Sequence, residues 1–309
     1  MDDNSKHGIP LALAAYGIWG LLPIYLKLVS AAPADIILVH RIIWSLLFCG
    51  VLVAARGRLA GVLAALRNPP VALRLLASSI LIAVNWLVYI WAVNSGHILE
   101  SALGYFITPL VNVLFGMLLF GERMAPLQWL AVALAATGIT LELVAYGSVP
   151  VIALALATTF GLYGVLRKQV AIEAQSGLLL ETAVLAIPAA LYWLWFADAP
   201  TANMANNALS LNLLLLLAGP VTAIPLICFA AAARRLPYST LGMFQYIAPT
   251  LQFAVGVLIF AEPLGERRLM TFGFIWAALA VFSVHLLSRK PGRLKAEAKA
   301  IVLPADEKF

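Results

Sequence analysis

Charge is scarce in this chain. Asp, Glu, Lys and Arg make up 11% of its 309 residues, where soluble globular chains carry roughly a quarter. A water-soluble domain of this size is therefore excluded, because it would need far more polar surface. Cysteine is nearly absent: Cys49 and Cys228 each stand alone inside an apolar run. There is neither a CxxC pair nor a spaced Cys/His set, and both thiols read as buried and free. The chain has no GxxxxGK[ST] loop, hence no resident ATP motor of that kind. It has no HExxH and no GxSxG, which removes two common hydrolase signatures. Its adjacent aspartates, Asp2 and Asp3, precede the first apolar run. No metal and no cofactor is expected.

Apolar residues fill the gap: they account for 63% of the chain, with a mean hydropathy of +0.97. A spanning helix takes about 20 mostly apolar residues. Ten such runs are visible, near 9–29, 35–55, 72–94, 100–120, 126–144, 148–166, 177–196, 212–233, 240–260 and 269–287. Short connections marked by Pro33, Pro69, Pro126, Pro150 and Pro263 separate many of them. The fold class is an all-α integral membrane protein, since each helix satisfies its own backbone in hydrocarbon. The segment before the first run is acidic, and that run is too long for a signal-peptide core, so it reads as an uncleaved first helix.

The net charge of +6 does not point to nucleic acid. The cations sit in short loops between apolar runs, as topology signals do. With the N-terminus in the cytoplasm, 16 of the 20 Lys and Arg fall inside and 4 fall in the outer half. Residues 1–8 then form a cytoplasmic N-terminus and 289–309 a loose, basic cytoplasmic tail.

The chain also repeats itself. Pro109, Asn112, Gly116, Leu118, Phe120 and Glu122 recur 140 residues on as Pro249, Gln252, Gly256, Leu258, Phe260 and Glu262. Gly20, Leu21 and Lys27 recur at an offset of 141 as Gly161, Leu162 and Lys168. Two five-helix halves follow, 9–146 and 147–288. Five is odd, so the second half enters the membrane upside down. Inverted repeats around a midplane site are a transporter architecture.

Polar residues inside spans are costly, roughly 2.5–3.5 kcal/mol for a mid-bilayer charge, so they mark places to look. Helical spacing puts Ser101, Tyr105, Thr108 and Asn112 on one face. The same rule aligns Gly242, Gln245, Pro249, Gln252 and Gly256. Under the repeat Tyr105 corresponds to Gln245, Asn112 to Gln252 and Trp19 to Phe160. Asn112 and Gln252 enter from opposite sides and reach about 18 Å in. Asn85 reaches a similar depth, with Trp86 and Tyr89 beside it. These residues suit a cavity for a small amphipathic or zwitterionic molecule; as a plain structural reading, the amides glue helices together. His40, Arg41 and Glu181 read either as gating or proton-coupling groups or as snorkelling and helix-end pairs. His40 and Glu181 are repeat equivalents, which places them near opposite faces and out of contact. Glu100, Glu122, Glu262, Glu142 and His285 read as helix-end groups.

Several stretches together resemble a known family. They include Tyr16, Trp19, Gly20, Pro23, Tyr25 and Lys27 in the first run, and His40-Arg41 with Trp44-Ser45. Further on come Asn85, Trp86, Tyr89, Trp91 and Asn94; Glu100, Gly104, Tyr105 and Pro109; and Gly121-Glu122-Arg123. Tyr163, Arg167-Lys168, Glu181-Thr182, Gly219, Pro225, Gln245-Tyr246 and Pro249 complete the set. Across about 9–290 the chain is similar to the RarD group of EamA-type proteins in the drug/metabolite transporter superfamily. The resemblance implies ten helices in two inverted EamA repeats, an inner-membrane location and export of small organic solutes. The group carries labels of permease or chloramphenicol sensitivity. Asp35 and Thr108 depart from the commoner Glu and Asn, and Thr108 lies on the cavity face.

The leading expectation is a secondary transporter of small organic metabolites or drugs, amino acids or amphenicol-like compounds among them, working by alternating access. Expected partners are a small-molecule substrate, the lipid bilayer and protons as coupling ion, with no nucleic acid, in a monomer or weak homodimer. Two rivals stand beside it. A membrane enzyme acting on a lipid-linked group would need an acidic or His cluster at one face. A non-transporting scaffold would tolerate substitutions throughout the polar faces.

Overall fold

The computed structural model describes residues 3–95, 97–261 and 266–288. Glu262, Pro263 and the basic tail from residue 289 lie outside them. The elements are α1 (Asp3–Leu28), α2 (Ala34–Ala55), α3 (Leu59–Leu66), α4 (Pro69–Asn94), α5 (Ile98–Phe120) and α6 (Pro126–Tyr146). Then come α7 (Val151–Gln169), α8 (Ala174–Trp195), α9 (Leu209–Ala233), α10 (Tyr238–Gln245), α11 (Ile247–Leu258) and α12 (Glu266–Ser288). Ten stretches are long and apolar enough to cross a membrane, with α10 and α11 together forming one.

Local chemistry explains the punctuation. Pro33 and Pro150 stand just ahead of α2 and α7, and Pro126 opens α6; proline lacks an amide that a first turn would leave unpaired anyway. Gly121 ends α5 with φ 61° and Gly147 ends α6 with φ 79°, left-handed conformations that cost glycine little. The ninth span breaks at Tyr246, because Pro249 has no N–H to give the carbonyl of Gln245 one turn earlier.

Helix α3 is an addition to the ten-run reading. It is too short to span, and periodicity of a single turn or two is hard to see in so apolar a chain. Val62 and Ala65 face inward, while Leu59, Leu63 and Leu66 are exposed between Arg56, Arg58 and Arg67. An apolar face flanked by cations suits the headgroup boundary.

Alternating spans put the start of α1 and the end of α12 on one face, here the terminal face; the opposite face is distal. The packing has the symmetry of the repeat. Helices α6 and α12, α2 and α8, and α5 and α10 pack as equivalent pairs. The α4–α7 contact is matched by α9–α1, and α5–α7 by α11–α1. The ten spans form two inverted five-helix repeats. Glycines bring the halves together. A Cβ on Gly20 would lie 2.5 Å from Leu251, and one on Gly161 would lie 2.9 Å from Phe115; each first helix is covered there by the fourth span of the other half. Gly219 of α9 lies against the backbone of Trp44, where a Cβ would be 2.5 Å away.

Candidate functional site

Arg41 sits about 10 Å below the distal start of α2, by helical rise. Its Nε donates to Oγ1 of Thr222 at 2.9 Å, midway along α9. The guanidinium carbon lies 5.3 Å from the centre of the Trp86 ring on α4, a cation–π geometry. Tyr25, Tyr89 and Tyr105 lie within its electrostatic reach. Tyr89 and Tyr105 meet edge to face at 6.3 Å. The Tyr25 hydroxyl donates to the carbonyl of Leu214 at 3.0 Å, tying α1 to α9. Four other spans, α1, α4, α5 and α9, thus surround the α2 cation with aromatic faces and hydroxyls.

Toward the bundle centre, Trp19 packs against Phe160 at 5.8 Å and Phe229 at 5.8 Å. The Trp19 carbonyl accepts from Nε2 of Gln252 at 3.1 Å. Asn112 is fully buried and donates to Oε1 of Gln245 at 2.7 Å, linking α5 to α10. Asn85 donates to the carbonyl of Leu156 and to Oγ1 of Thr159, both at 2.9 Å. Thr108 returns its hydroxyl to the Gly104 carbonyl of its own helix at 2.6 Å. Each of these amides crosses between helices of opposite halves, so they hold the symmetric centre as well as facing it.

The structure separates His40 from Arg41 in environment. The buried His40 ring accepts at Nδ1 from the Trp44 indole at 2.8 Å and lies 5.0 Å from the Trp193 ring. Glu181 lies in the terminal half. It accepts from Ser78 at 2.5 Å and from Tyr163 at 3.3 Å, and pairs with Arg167 at 3.4 Å. His40 and Glu181 do not meet. Glu100, at the distal end of α5, accepts from the Tyr146 hydroxyl at 2.7 Å and the Ile152 amide at 2.8 Å.

The terminal half is stitched further. Glu122 accepts from the amides of Tyr238 at 2.5 Å and Ser239 at 2.8 Å, capping α10. Lys168 donates to the carbonyls of Ala233 at 2.8 Å and Leu236 at 2.5 Å, at the end of α9. Arg234 donates to the carbonyl of Ile172.

Accessibility breaks the symmetry. Tyr105 is 41% exposed, while its equivalent Gln245 is 6% exposed. Arg41, Trp86 and Tyr89 are half-buried, whereas their equivalents Thr182, Leu226 and Phe229 are buried. The residues around Arg41 are thus more accessible than their equivalents in the second half.

Sequence reasoning did not single out Thr222, Thr159 or Ser78 as partners. Their hydroxyls are common in apolar helices, and only the packing brings them to Arg41, Asn85 and Glu181. The half-way position of Thr222 along its span was the one available signal.

The EamA-like transporter family model matches residues 6–144. A protein of Vibrio cholerae serotype O1 named an uncharacterized transporter is 50% identical over 281 residues, covering 91% of this chain and 93% of that one. Protein RarD of Salmonella typhimurium is 51% identical over 279 residues, covering 90% of this chain and 95% of that one. A crystal structure 22% identical in sequence superposes with a TM-score of 0.70, over 92% of this chain and 99% of that one, and shares the fold. Ten apolar helices in inverted repeats, together with this similarity along nearly the whole chain, make it a multi-pass membrane transporter that belongs to the RarD group of the EamA-like family, within the drug/metabolite transporter superfamily.

Proposed function

We propose that the protein is a secondary transporter that moves small organic molecules by alternating access. The halves 9–146 and 147–288 rock about the midplane in this reading. The observation that carries it is the accessibility difference between repeat-equivalent positions, Tyr105 against Gln245 and Arg41 against Thr182. Two inverted halves with the same packing pattern can exchange their conformations about a pseudo-two-fold axis in the membrane plane, giving two arrangements that open on opposite faces. In this reading, the arrangement described is the one that opens on the distal side.

The proposed substrate space is lined by Trp86, Tyr89 and Tyr105, with Trp19, Asn85, Thr108, Asn112, Gln245 and Gln252 below it. His40, Arg41 and Glu181 flank it as gating or coupling groups. The protein belongs to the inner membrane in this reading, with both termini cytoplasmic, as the Lys and Arg distribution favours. The distal side then faces outward.

Transport of radiolabelled amino acids and amphenicols into proteoliposomes tests the proposal. A saturable flux lost on combining Asn112→Ala with Gln252→Ala supports it. Normal flux of a confirmed substrate in that double variant removes the site assignment. Flux that ignores an imposed pH gradient removes proton coupling and leaves facilitated diffusion.

A further inference from the structure

Arg41 has an unusual charge environment for a residue inside a membrane bundle. Among the described residues no carboxylate lies within ion-pair distance of it; the ion pairs found there are Arg58–Glu173 and Arg167–Glu181. The buried carboxylate at a repeat-equivalent position of helix two, Glu181, is already committed to Arg167, Ser78 and Tyr163. A half-buried guanidinium inside a membrane bundle without a counter-ion is costly, and an anion arriving in the same space removes that cost.

Geometry says how the anion would be held. Thr222 takes the Nε–H, and the guanidinium carbon lies over the Trp86 ring at 5.3 Å. No hydrogen bond from the terminal Nη1 and Nη2 groups to a described residue accompanies these contacts. Those edges match the two oxygens of a carboxylate in a forked pair. Tyr89 and Tyr105 stand beside the same cation with ring surface and hydroxyls, on the side that is accessible. Beneath lies the aromatic cluster of Trp19, Phe160 and Phe229.

We propose that Arg41 is the anion anchor of the substrate site, and that the site takes a small carboxylate with an apolar or aromatic body. The proposal rests on the transporter reading above for its biological meaning, but its binding test does not.

The test uses the full chain in lipid nanodiscs and two probe pairs matched in shape: phenylacetate with phenylacetamide, and hexanoate with hexanamide. Isothermal titration calorimetry measures each affinity. At least one carboxylate is expected to bind about ten-fold or more tightly than its amide, the range of a charge-assisted forked pair. Arg41→Gln is expected to bring that pair to near equality, and Arg41→Lys to retain part of the preference. The proposal is overturned if neither carboxylate outbinds its amide in the wild-type protein, a comparison that needs no variant to fold. It is overturned equally if the preference survives Arg41→Gln. Counterflow of the bound carboxylate in proteoliposomes separates the two readings. Arg41-dependent binding without counterflow supports the anchor and removes transport of that probe. Counterflow of the amides, equal to that of the carboxylates and untouched by Arg41→Gln, supports transport and overturns the anchor.

Discussion

Arg167 and Glu181 are each almost fully buried and pair at 3.4 Å. A pair of this kind stabilises little compared with an apolar substitute, yet removing one partner strands the other charge. Glu181→Ala is therefore expected to destabilise the protein by about 3–5 kcal/mol. Unfolding in a denaturing-detergent titration measures it, and loss of the coupled Arg167 alongside should recover part of the cost. Close packing at glycine makes a second prediction at this scale. Gly219→Ala places a Cβ against the Trp44 backbone, and backbone cannot step aside as a side chain can. A loss of about 1–3 kcal/mol is expected from such overpacking. Gly17 has nothing within 4 Å of a built Cβ. Gly17→Ala should be neutral, or gain up to about 1 kcal/mol from helix propensity. Equal melting shifts for the two variants would contradict this reading of the α2–α9 contact.

At the scale of elements, two prolines at repeat-equivalent positions behave differently. Pro109 lies inside α5, which runs unbroken from Ile98 to Phe120, whereas Pro249 follows the break between α10 and α11. Pro249→Ala restores an amide able to reach the Gln245 carbonyl. It is expected to close the break, raise the melting temperature and slow transport, if the broken span bends during the cycle. Pro109→Ala should change transport less. Helix α3 yields a separate test. Its exposed Leu59, Leu63 and Leu66 lie on the terminal face between arginines. A tryptophan introduced by Leu63→Trp should be quenched by brominated lipid at headgroup depth. Absence of quenching would place α3 in water.

For the whole molecule, the open side is the feature to measure. After Cys49 and Cys228 are replaced, Tyr105→Cys should react with a membrane-impermeant thiol reagent applied from the distal side. Gln245→Cys, buried at the equivalent position, should react slowly from either side. A substrate that shifts the population toward the opposite arrangement should protect the first cysteine and expose the second. Unchanged labelling of both at saturating substrate would argue against two interconverting states. The arrangement described has Glu122 on the α10 amides and Lys168 on the α9 carbonyls at the terminal end, which ties α5 to α10 and α7 to α9 there.

The sequence by itself determined the number of spans, the inverted halves and the short list of intramembrane polar residues. Those follow from local physics: the length needed to cross hydrocarbon, the bias of cations between loops, and the cost of polar groups in lipid. It also implied that His40 and Glu181 stay apart. Tertiary structure decided what each polar residue touches. Asn112 reaches Gln245 instead of facing open space, Glu181 is held by Arg167, and Arg41 meets Trp86 and Thr222 with no ion-paired carboxylate among the described residues. Which of two repeat-equivalent positions is the more accessible was illegible as well. Two symmetric arrangements satisfy the same hydropathy pattern equally, and only the packing of one half against the other chooses between them.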